Sequence, residues 1–396
     1  MQSKSFNQAA ELITILKEHG YAAYIVGGAV RDHLLGKEVD DIDIATSAQP
    51  EEVRGIFPKT IPVGVEHGTI VVRFHHHSYE VTTFRSESDY EDHRRPSSVT
   101  FVSSLTEDLK RRDFTINALA MSETGEISDP FSGSEDLKAG LIRSVGHAEE
   151  RFAEDPLRMM RAARFASQLC FEVEEKTRFA LRTMASDLQH ISVERISVEF
   201  EKLLLGSCFR KALALLIDSG LFAYLPGMSE KENGLRELAE TELSALSSLY
   251  EKWTYLLIVL QIHESSVWLK KWKLSNDKIK KITQIRRTLD ALSKEGWKAF
   301  DVYKAGLEIA LSAERVRSLM NKQPAELVKV DRLYRQLPVK NRKELAFVGN
   351  DLLDWFQQPP GPWLSKWIEA AEEAIVEGLV PNEKEAVRRW LLKQTF

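Results

Sequence analysis

Three short runs in this chain gather residue types that bind and rearrange phosphate. The first is Gly27-Gly28-Ala29-Val30-Arg31-Asp32, followed about a dozen residues later by Asp41-Ile42-Asp43. In a strand, residues two apart share a face, so Asp41 and Asp43 point into one site, and two carboxylates held that close repel unless a cation lies between them. Mg²⁺ suits the pair, because it takes one or two carboxylates together with phosphate oxygens. The diglycine Gly27-Gly28 lets the backbone approach a phosphate. The helix that starts there offers free N–H groups to an anion, with Arg31 as an added charge. Asp40-Asp41 alone would read as a turn. The glycine turn and the acidic pair together point to nucleotidyl transfer.

The second run is Arg111-Arg112-Asp113-Phe114-Thr115-Ile116-Asn117-Ala118. An arginine pair beside Asp113 and Asn117 can hold a phosphate and a ribose hydroxyl, and in isolation the same residues would make a capped surface helix with an ion pair. The third run spans Glu154-Asp155-Pro156-Leu157-Arg158 through Arg161 and Arg164 to Phe165. Pro156 reads as the first position of a helix and Asp155 as its N-cap. Arg158, Arg161 and Arg164 span an arc of about 120° on that helix at ~100° per residue, opposite a mainly apolar side.

Other candidates are weaker. Glu80 alternates with Val81 in a strand and is a third carboxylate for the metal site, or else a solvent-facing position. His75-His76-His77 reads as the end of a hairpin, since neighbours in a strand face opposite ways. His263-Glu264 lacks the second histidine of a zinc-protease helix, and neither a Walker-type loop nor a His-Asp pair occurs. Lys270-Lys271-Trp272-Lys273 with Lys278 to Arg287 is a basic stretch with an interleaved aromatic, suited to phosphate contact or to a solvated helix face. Trp355, Trp363, Trp367 and Trp390 read as core.

The elements that position these runs follow from periodicity. Ala9, Leu12, Ile13 and Leu16 fall at helical spacing ahead of Gly20, Tyr21 to Val26 forms a strand, and Ala29 to Leu35 forms a short helix closed by Gly36. Further strands are expected at Asp41 to Ile44, Thr69 to Phe74 and Tyr79 to Phe84. After that the pattern is helical, and Pro359-Pro360-Gly361-Pro362 punctuates its last part. The fold class is α+β: a mixed head followed by an all-α remainder. Expected boundaries give a catalytic head at 1–138, a helical neck at 139–206, a helical body at 207–300 and a helical tail at 301–396.

At 396 residues the chain is long enough for two to four such units. A net charge of −5 leaves nucleic-acid binding to local basic patches, because acidic clusters such as Glu87 to Asp92 leave other segments positive. No apolar run approaches the ~18 residues of a membrane span. Met1 to Phe6 has no apolar stretch of the secretory kind, so a cytoplasmic location is expected. Cys170 and Cys208 sit among apolar residues and read as buried thiols, without a disulfide.

The segments GGAVRD, DIDIATSA and RRDFTINALA resemble those of the tRNA nucleotidyltransferase and poly(A) polymerase family, in its bacterial class II form. The resemblance covers roughly residues 20 to 205 strongly and implies a polymerase-beta-like head. It implies that Gly28 and Arg31 hold a triphosphate, that Asp41 and Asp43 hold Mg²⁺, and that Arg112 binds nucleotide. Glu154-Asp155-Pro156-Leu157-Arg158 resembles the family's amino-acid template, in which Asp155 and Arg158 read the incoming base and Glu154 steadies Arg158; Arg161 and Arg164 follow as nucleotide-binding positions.

The chemistry of that template is consistent. Cytosine and adenine each present a donor beside an acceptor, which an accepting carboxylate and a donating guanidinium complement, whereas uracil and guanine present the reverse. The resemblance further implies tRNA, CTP and ATP as partners, addition and repair of the 3′-terminal CCA of tRNA, and a homodimer. Val63-Gly64-Val65-Glu66-His67-Gly68-Thr69 resembles the CCA-adding branch, and the polar segment Ser86 to Lys110 resembles a flexible loop that CC-only forms shorten. Addition of A only, or poly(A) synthesis, are the alternatives.

Overall fold

The computed structural model describes residues 4–39, 41–87, 99–293 and 295–394. Asp40, most of the Glu87 to Asp92 cluster and the middle of the Ser86 to Lys110 loop lie outside them. The chain divides into two compact units, Met1–Thr241 and Glu242–Phe396.

The first unit opens with helix α1 (Lys4–Glu18), whose Ala9, Leu12, Ile13 and Leu16 are all fully buried. This is the stripe that the spacing requires, and each of the larger side chains contributes about 1.5–3 kcal/mol by leaving water. Strand β1 (Ala23–Val26) and helix α2 (Gly28–Leu34) follow, joined at Gly27, then β2 (Asp43–Thr46) and α3 (Pro50–Ile56). Next come β3 (Thr60–Gly64), β4 (Thr69–Phe74), β5 (His77–Thr83), a separate hairpin of β6 (Arg85–Glu87) and β7 (Val99–Phe101), α4 (Leu105–Lys110), β8 (Ala120–Met121) and β9 (Ile127–Ser128).

Seven of these strands form one mixed sheet in the order β3-β4-β5-β2-β1-β8-β9. Strands β2 and β5 pair in parallel, with Asp43 beside Glu80, while β1 pairs antiparallel with β2 and β8. The β4–β5 turn is made by His75 and His76, both with positive φ, so the histidine run is the hairpin end expected of it. Strand β2 begins at Asp43, two residues later than the alternation suggested, leaving Asp41 in the preceding loop. The alternation itself persists, with Asp41 and Asp43 exposed around buried Ile42.

Beyond the sheet lie α5 (Gly133–Ala139), β10 (Leu141–Ile142), α6 (Ala148–Glu154), α7 (Leu157–Leu169), β11 (Glu172–Val173), α8 (Glu175–Met184), α9 (Val193–Leu205), α10 (Phe209–Asp218) and α11 (Glu232–Ala239). The remainder is mostly helical, interrupted only by the two-residue parallel pair β10–β11 among the described residues. One expectation fails outright: Cys170 and Cys208 are joined by a disulfide across 38 positions and are half-buried, not sealed in a core. Their apolar neighbours carried no trace of the packing of α7 against α9 that brings the two together.

The second unit is helical throughout: α12 (Leu249–Val259), α13 (Ser265–Lys271), α14 (Asn276–Ala291), α15 (Ala299–Ala305), α16 (Leu307–Asn321), α17 (Leu327–Gln336), α18 (Gly349–Phe356), α19 (Pro362–Val376) and α20 (Lys384–Leu391). Trp355, Trp363, Trp367 and Trp390 pack against one core cluster around Leu352, Ala371 and Val387. Trp272 is fully buried, in edge-on contact with Trp253, so the aromatic of the basic stretch has no face to offer a base. Among the described residues no helix is long and apolar enough to cross a membrane.

Candidate active site

All three runs converge on one cleft of about 480 Å³ in the first unit, lined by Gly27, Gly28, Arg31, Asp43, Arg112, Asp113, Asn117, Asp155, Arg158, Arg161 and Arg164. Arg111 and Arg195 also line it, making seven guanidiniums against three carboxylates, so the cleft surface favours an anion.

One wall is the β1–α2 turn. Gly27 has φ +71 and ψ −132, a conformation open to glycine, and a Cβ there would lie 2.8 Å from Arg112 Nη1. Arg112 thus packs directly on the turn, held by Asp108 at 3.3 Å; Asp108 also accepts from Arg111 at 2.8 Å. Burial raises the Asp108 pKa, but the two arginines outweigh it and bring it below the ordinary value. Burial lowers the pKa of Arg112, and its Nε has no hydrogen-bond partner. Arg31 donates from Nε and Nη2 to its neighbour Asp32, at 2.9 and 2.7 Å, and from Nη1 to Asn117 Oδ1 at 2.7 Å.

Of the sheet-side carboxylates Asp43 lines the cleft, whereas Asp41 and Glu80 do not line it but act on the charge of Asp43. Desolvation raises the pKa of Asp43, the charges of Glu80 and Asp41 raise it further, and Arg112 opposes them. Crowded carboxylates of this kind are relieved by a divalent cation. Among the described residues no three acidic, histidine or cysteine side chains form a ready cage. The donor set therefore fits an ion that is completed by phosphate oxygens and water rather than one enclosed by protein.

The opposite wall is α7. Pro156 takes helical angles as the residue before the helix, and Asp155 stands one position further out, its Oδ1 accepting the Leu157 N–H at 3.2 Å. Asp155 is also gripped by Arg195 of α9, through Nη1 at 3.2 Å and Nη2 at 2.8 Å. Arg158 Nη1 donates to Glu154 at 2.6 Å and to Arg151 O at 3.1 Å, and Nη2 to Arg111 O at 2.9 Å. The basic arc of α7 is not a solvated face: Arg158 and Arg164 are each 8% exposed. Arg161 meets Asp113 at 2.6 Å, and Arg164 pairs with Glu199 of α9 at 3.1 Å.

Burial raises the Asp113 pKa, yet Arg161, the Asn117 amide and Arg158 together hold the carboxyl at about 2. Burial and the nearby Arg161 lower Arg164 to about 10. The ring of Phe165 lies under three guanidiniums, those of Arg164, Arg31 and Arg161, at 4.3, 5.1 and 5.4 Å. It keeps the three cations apart on an attractive π face.

Arg195 and Glu199 were not singled out in the sequence, and Phe165 closed the third run without a role of its own. The first two stand four apart on α9, a spacing that puts them on one helix face, but nothing local says that this face meets α7.

Residues 23–143 match the poly A polymerase head domain, 170–232 the family described as "Probable RNA and SrmB- binding site of polymerase A", and 245–391 tRNA nucleotidyltransferase domain 2. The chain is 47% identical to the CCA-adding enzyme of Bacillus cereus over 390 residues, 98% of each chain. It is 47% identical to that of a Geobacillus species over 394 residues, 99% of this chain and 98% of the relative. The crystal structure of the Bacillus stearothermophilus CCA-adding enzyme in complex with CTP superposes with a TM-score of 0.93 at 46% identity, over 99% of this chain and 98% of the other. With a cleft that unites a glycine turn, Asp43 and an arginine-lined helix, and with that likeness running the length of the chain, this protein belongs to the family of CCA-adding enzymes.

Proposed function

We propose that this chain builds and repairs the 3′-terminal CCA of tRNA from CTP and ATP, releasing pyrophosphate. The observation that carries the reading is the single cleft in which Asp43, Arg31 and Arg112 face Asp155 and Arg158. Base choice is then served from the α7 wall, while phosphate chemistry draws on the turn wall together with Arg161 and Arg164 of α7.

Arg31, Arg112, Arg161 and Arg164, with the backbone of Gly27 and Gly28, hold the triphosphate. Asp113 and Asn117 fix Arg161 and Arg31 in place. Asp41 and Asp43, with Glu80 beside them in the parallel strand pair, are the residues that would hold Mg²⁺. Ions held by these carboxylates would supply the positive charge that favours an ionised 3′-hydroxyl and offsets charge on the pyrophosphate.

Asp155 and Arg158 read the base. A carboxylate has about four lone-pair directions, and Arg195 with the Leu157 amide takes three, so one remains for the exocyclic amine of C or A. Arg158 has given three of its five N–H groups to Glu154, Arg151 and Arg111, leaving donors for the ring acceptor beside that amine. Uracil and guanine present a carbonyl and a ring N–H to these groups, a mismatch worth about 1–3 kcal/mol per unmet bond.

The likeness to the CTP-bound Bacillus stearothermophilus enzyme supports CTP as one substrate. The polarity of the chain supports a cytoplasmic site of action, and the homodimer implied by resemblance belongs to the same proposal. The test offers purified protein a tRNA lacking its last three nucleotides, with CTP, ATP or both, and sequences the product. Ends reading CCA are expected; ends extended by A alone, or by long A runs, overturn the reading.

A further inference from the structure

Helices α7 and α9 run side by side in the same direction, joined by successive cross-links. Asp155 meets Arg195 at the start, Arg164 meets Glu199 further along, Ser167 Oγ donates to Leu203 O at 2.7 Å, and Cys170 is bonded to Cys208 at the end. One end of this ladder holds the base-reading carboxylate. The other end is a half-buried cysteine pair.

The local backbone is arranged to bring those sulfurs together. Cys170 ends α7 with φ +62, a left-handed conformation that glycine or asparagine usually supplies at a helix end. The turn after α9 lies directly on the last turn of α7. A Cβ on Gly206 would fall 2.1 Å from Ser167 Oγ, and the Cys208 amide donates to Ser167 O at 2.8 Å. Lys211 Nζ donates to Cys170 O at 2.9 Å while paired with Glu172 at 2.7 Å, which ties α10 to the end of α7 beside the cysteines. Cys208 also immediately precedes α10, where free N–H groups favour a thiolate.

We propose that Cys170 and Cys208 are a redox-reversible modification site that couples the thiol–disulfide balance of the surroundings to nucleotide choice. A low-molecular-weight disulfide is the oxidant. The Cys208 thiolate attacks one of its sulfurs, forming a mixed disulfide and releasing one thiolate. Cys170, giving up its proton, then displaces the second thiolate and closes the Cys170–Cys208 bond. Two protein thiols are oxidised and one small disulfide is reduced to two thiols. In a reducing compartment such pairs act as sensors more often than as permanent staples. Opening the bond leaves the sheet carboxylates untouched and removes the covalent end of the ladder that holds α7 in register with Arg195. The effect therefore falls on selectivity more than on turnover.

This inference rests on the proposed CCA addition, and its test includes readouts that do not. The full-length protein is equilibrated with oxidised or reduced glutathione. Free thiols are titrated, melting is recorded, and incorporation of all four nucleotides on tRNA lacking its 3′ end is compared. Oxidised protein should show no free thiols and reduced protein two, with melting several degrees lower on reduction. Misincorporation of UTP and GTP relative to CTP and ATP should rise about 2- to 10-fold on reduction. Cys170→Ser and Cys208→Ser should hold the reduced-state ratio under both conditions. Because the wild type alone supplies both redox states, a variant that fails to fold does not spoil the comparison. Two thiols that persist under the oxidant overturn the site, and a melting shift with an unchanged nucleotide ratio overturns the coupling. Loss of CCA addition in both redox states, with the thiol count behaving as expected, instead overturns the functional reading beneath it.

Discussion

Arg195 holds both carboxylate oxygens of Asp155, at 3.2 and 2.8 Å, although forty positions separate the two residues. The residue expected to face the base is thus oriented from a different helix. Arg195→Met should widen nucleotide choice about 5- to 50-fold in favour of UTP and GTP while changing kcat for the correct nucleotide much less. Competitive incorporation of the four nucleotides measures this. Adding Asp155→Asn should then contribute little more, because the two changes disturb one contact. Fully additive effects would mean that Arg195 does not act through Asp155.

Asp41 and Asp43 crowd a site where Asp43 already has a raised pKa, with Glu80 across the strand pair. Alanine at either aspartate should abolish incorporation and leave tRNA affinity nearly unchanged, because in the proposed assignment the carboxylates serve metal and not RNA. Glu80→Gln should keep measurable turnover but raise the Mg²⁺ concentration for half-maximal rate by several fold. Filter binding and a magnesium titration separate these outcomes. An unaltered magnesium requirement in Glu80→Gln would remove that residue from the metal site.

Gly27→Ala tests the close approach of the turn to Arg112. Alanine is strained at φ +71 and ψ −132, and its Cβ would meet Nη1 at 2.8 Å. The strain should cost about 1–3 kcal/mol of stability. Displacement of Arg112 should raise KM for CTP and ATP together, by at least as large a factor as kcat falls. A variant with wild-type KM for both would show that Arg112 does not touch the nucleotide.

Local chemistry in the chain announces itself, and long-range packing does not. The apolar stripe of α1, the glycine turn and the exposed–buried–exposed alternation of Asp41, Ile42 and Asp43 are readable because each obeys a period or a conformational rule within a few residues. The strand boundary moved only because alternation extends beyond the hydrogen-bonded ladder. The grip of Arg195 on Asp155 and the Cys170–Cys208 bond depend on which face of α9 meets α7, and no local pattern encodes that. Trp272 shows the same limit: three neighbouring lysines suggested a wet surface, while its indole points into a cluster with Trp253 and Trp268.

Asp113 supplies a test through pH. Its carboxyl is 7% exposed and held at about 2 by Arg161, the Asn117 amide and Arg158, against burial, which pushes the other way. An unfolded aspartate titrates near 3.9. The folded value is depressed, so the unfolded chain binds the proton more tightly. The stabilisation is complete above the unfolded pKa and is lost as pH falls from about 4 toward 2. A shift of that size corresponds to about 2–3 kcal/mol. Asp113→Asn keeps a side-chain acceptor for the Phe114 amide but removes the partner of Arg161. The variant should therefore be about 2–3 kcal/mol less stable than wild type at pH 7, and the gap should close as both are acidified. Urea unfolding of wild type and variant at pH 7, 4 and 2.5 measures the difference directly. Other acid-sensitive pairs, such as Asp108 with its two arginines, titrate in both proteins and drop out of the comparison. A gap that stays constant from pH 7 to 2.5 would show that the charge of Asp113 contributes nothing to folding and that its value lies only in orienting Arg161.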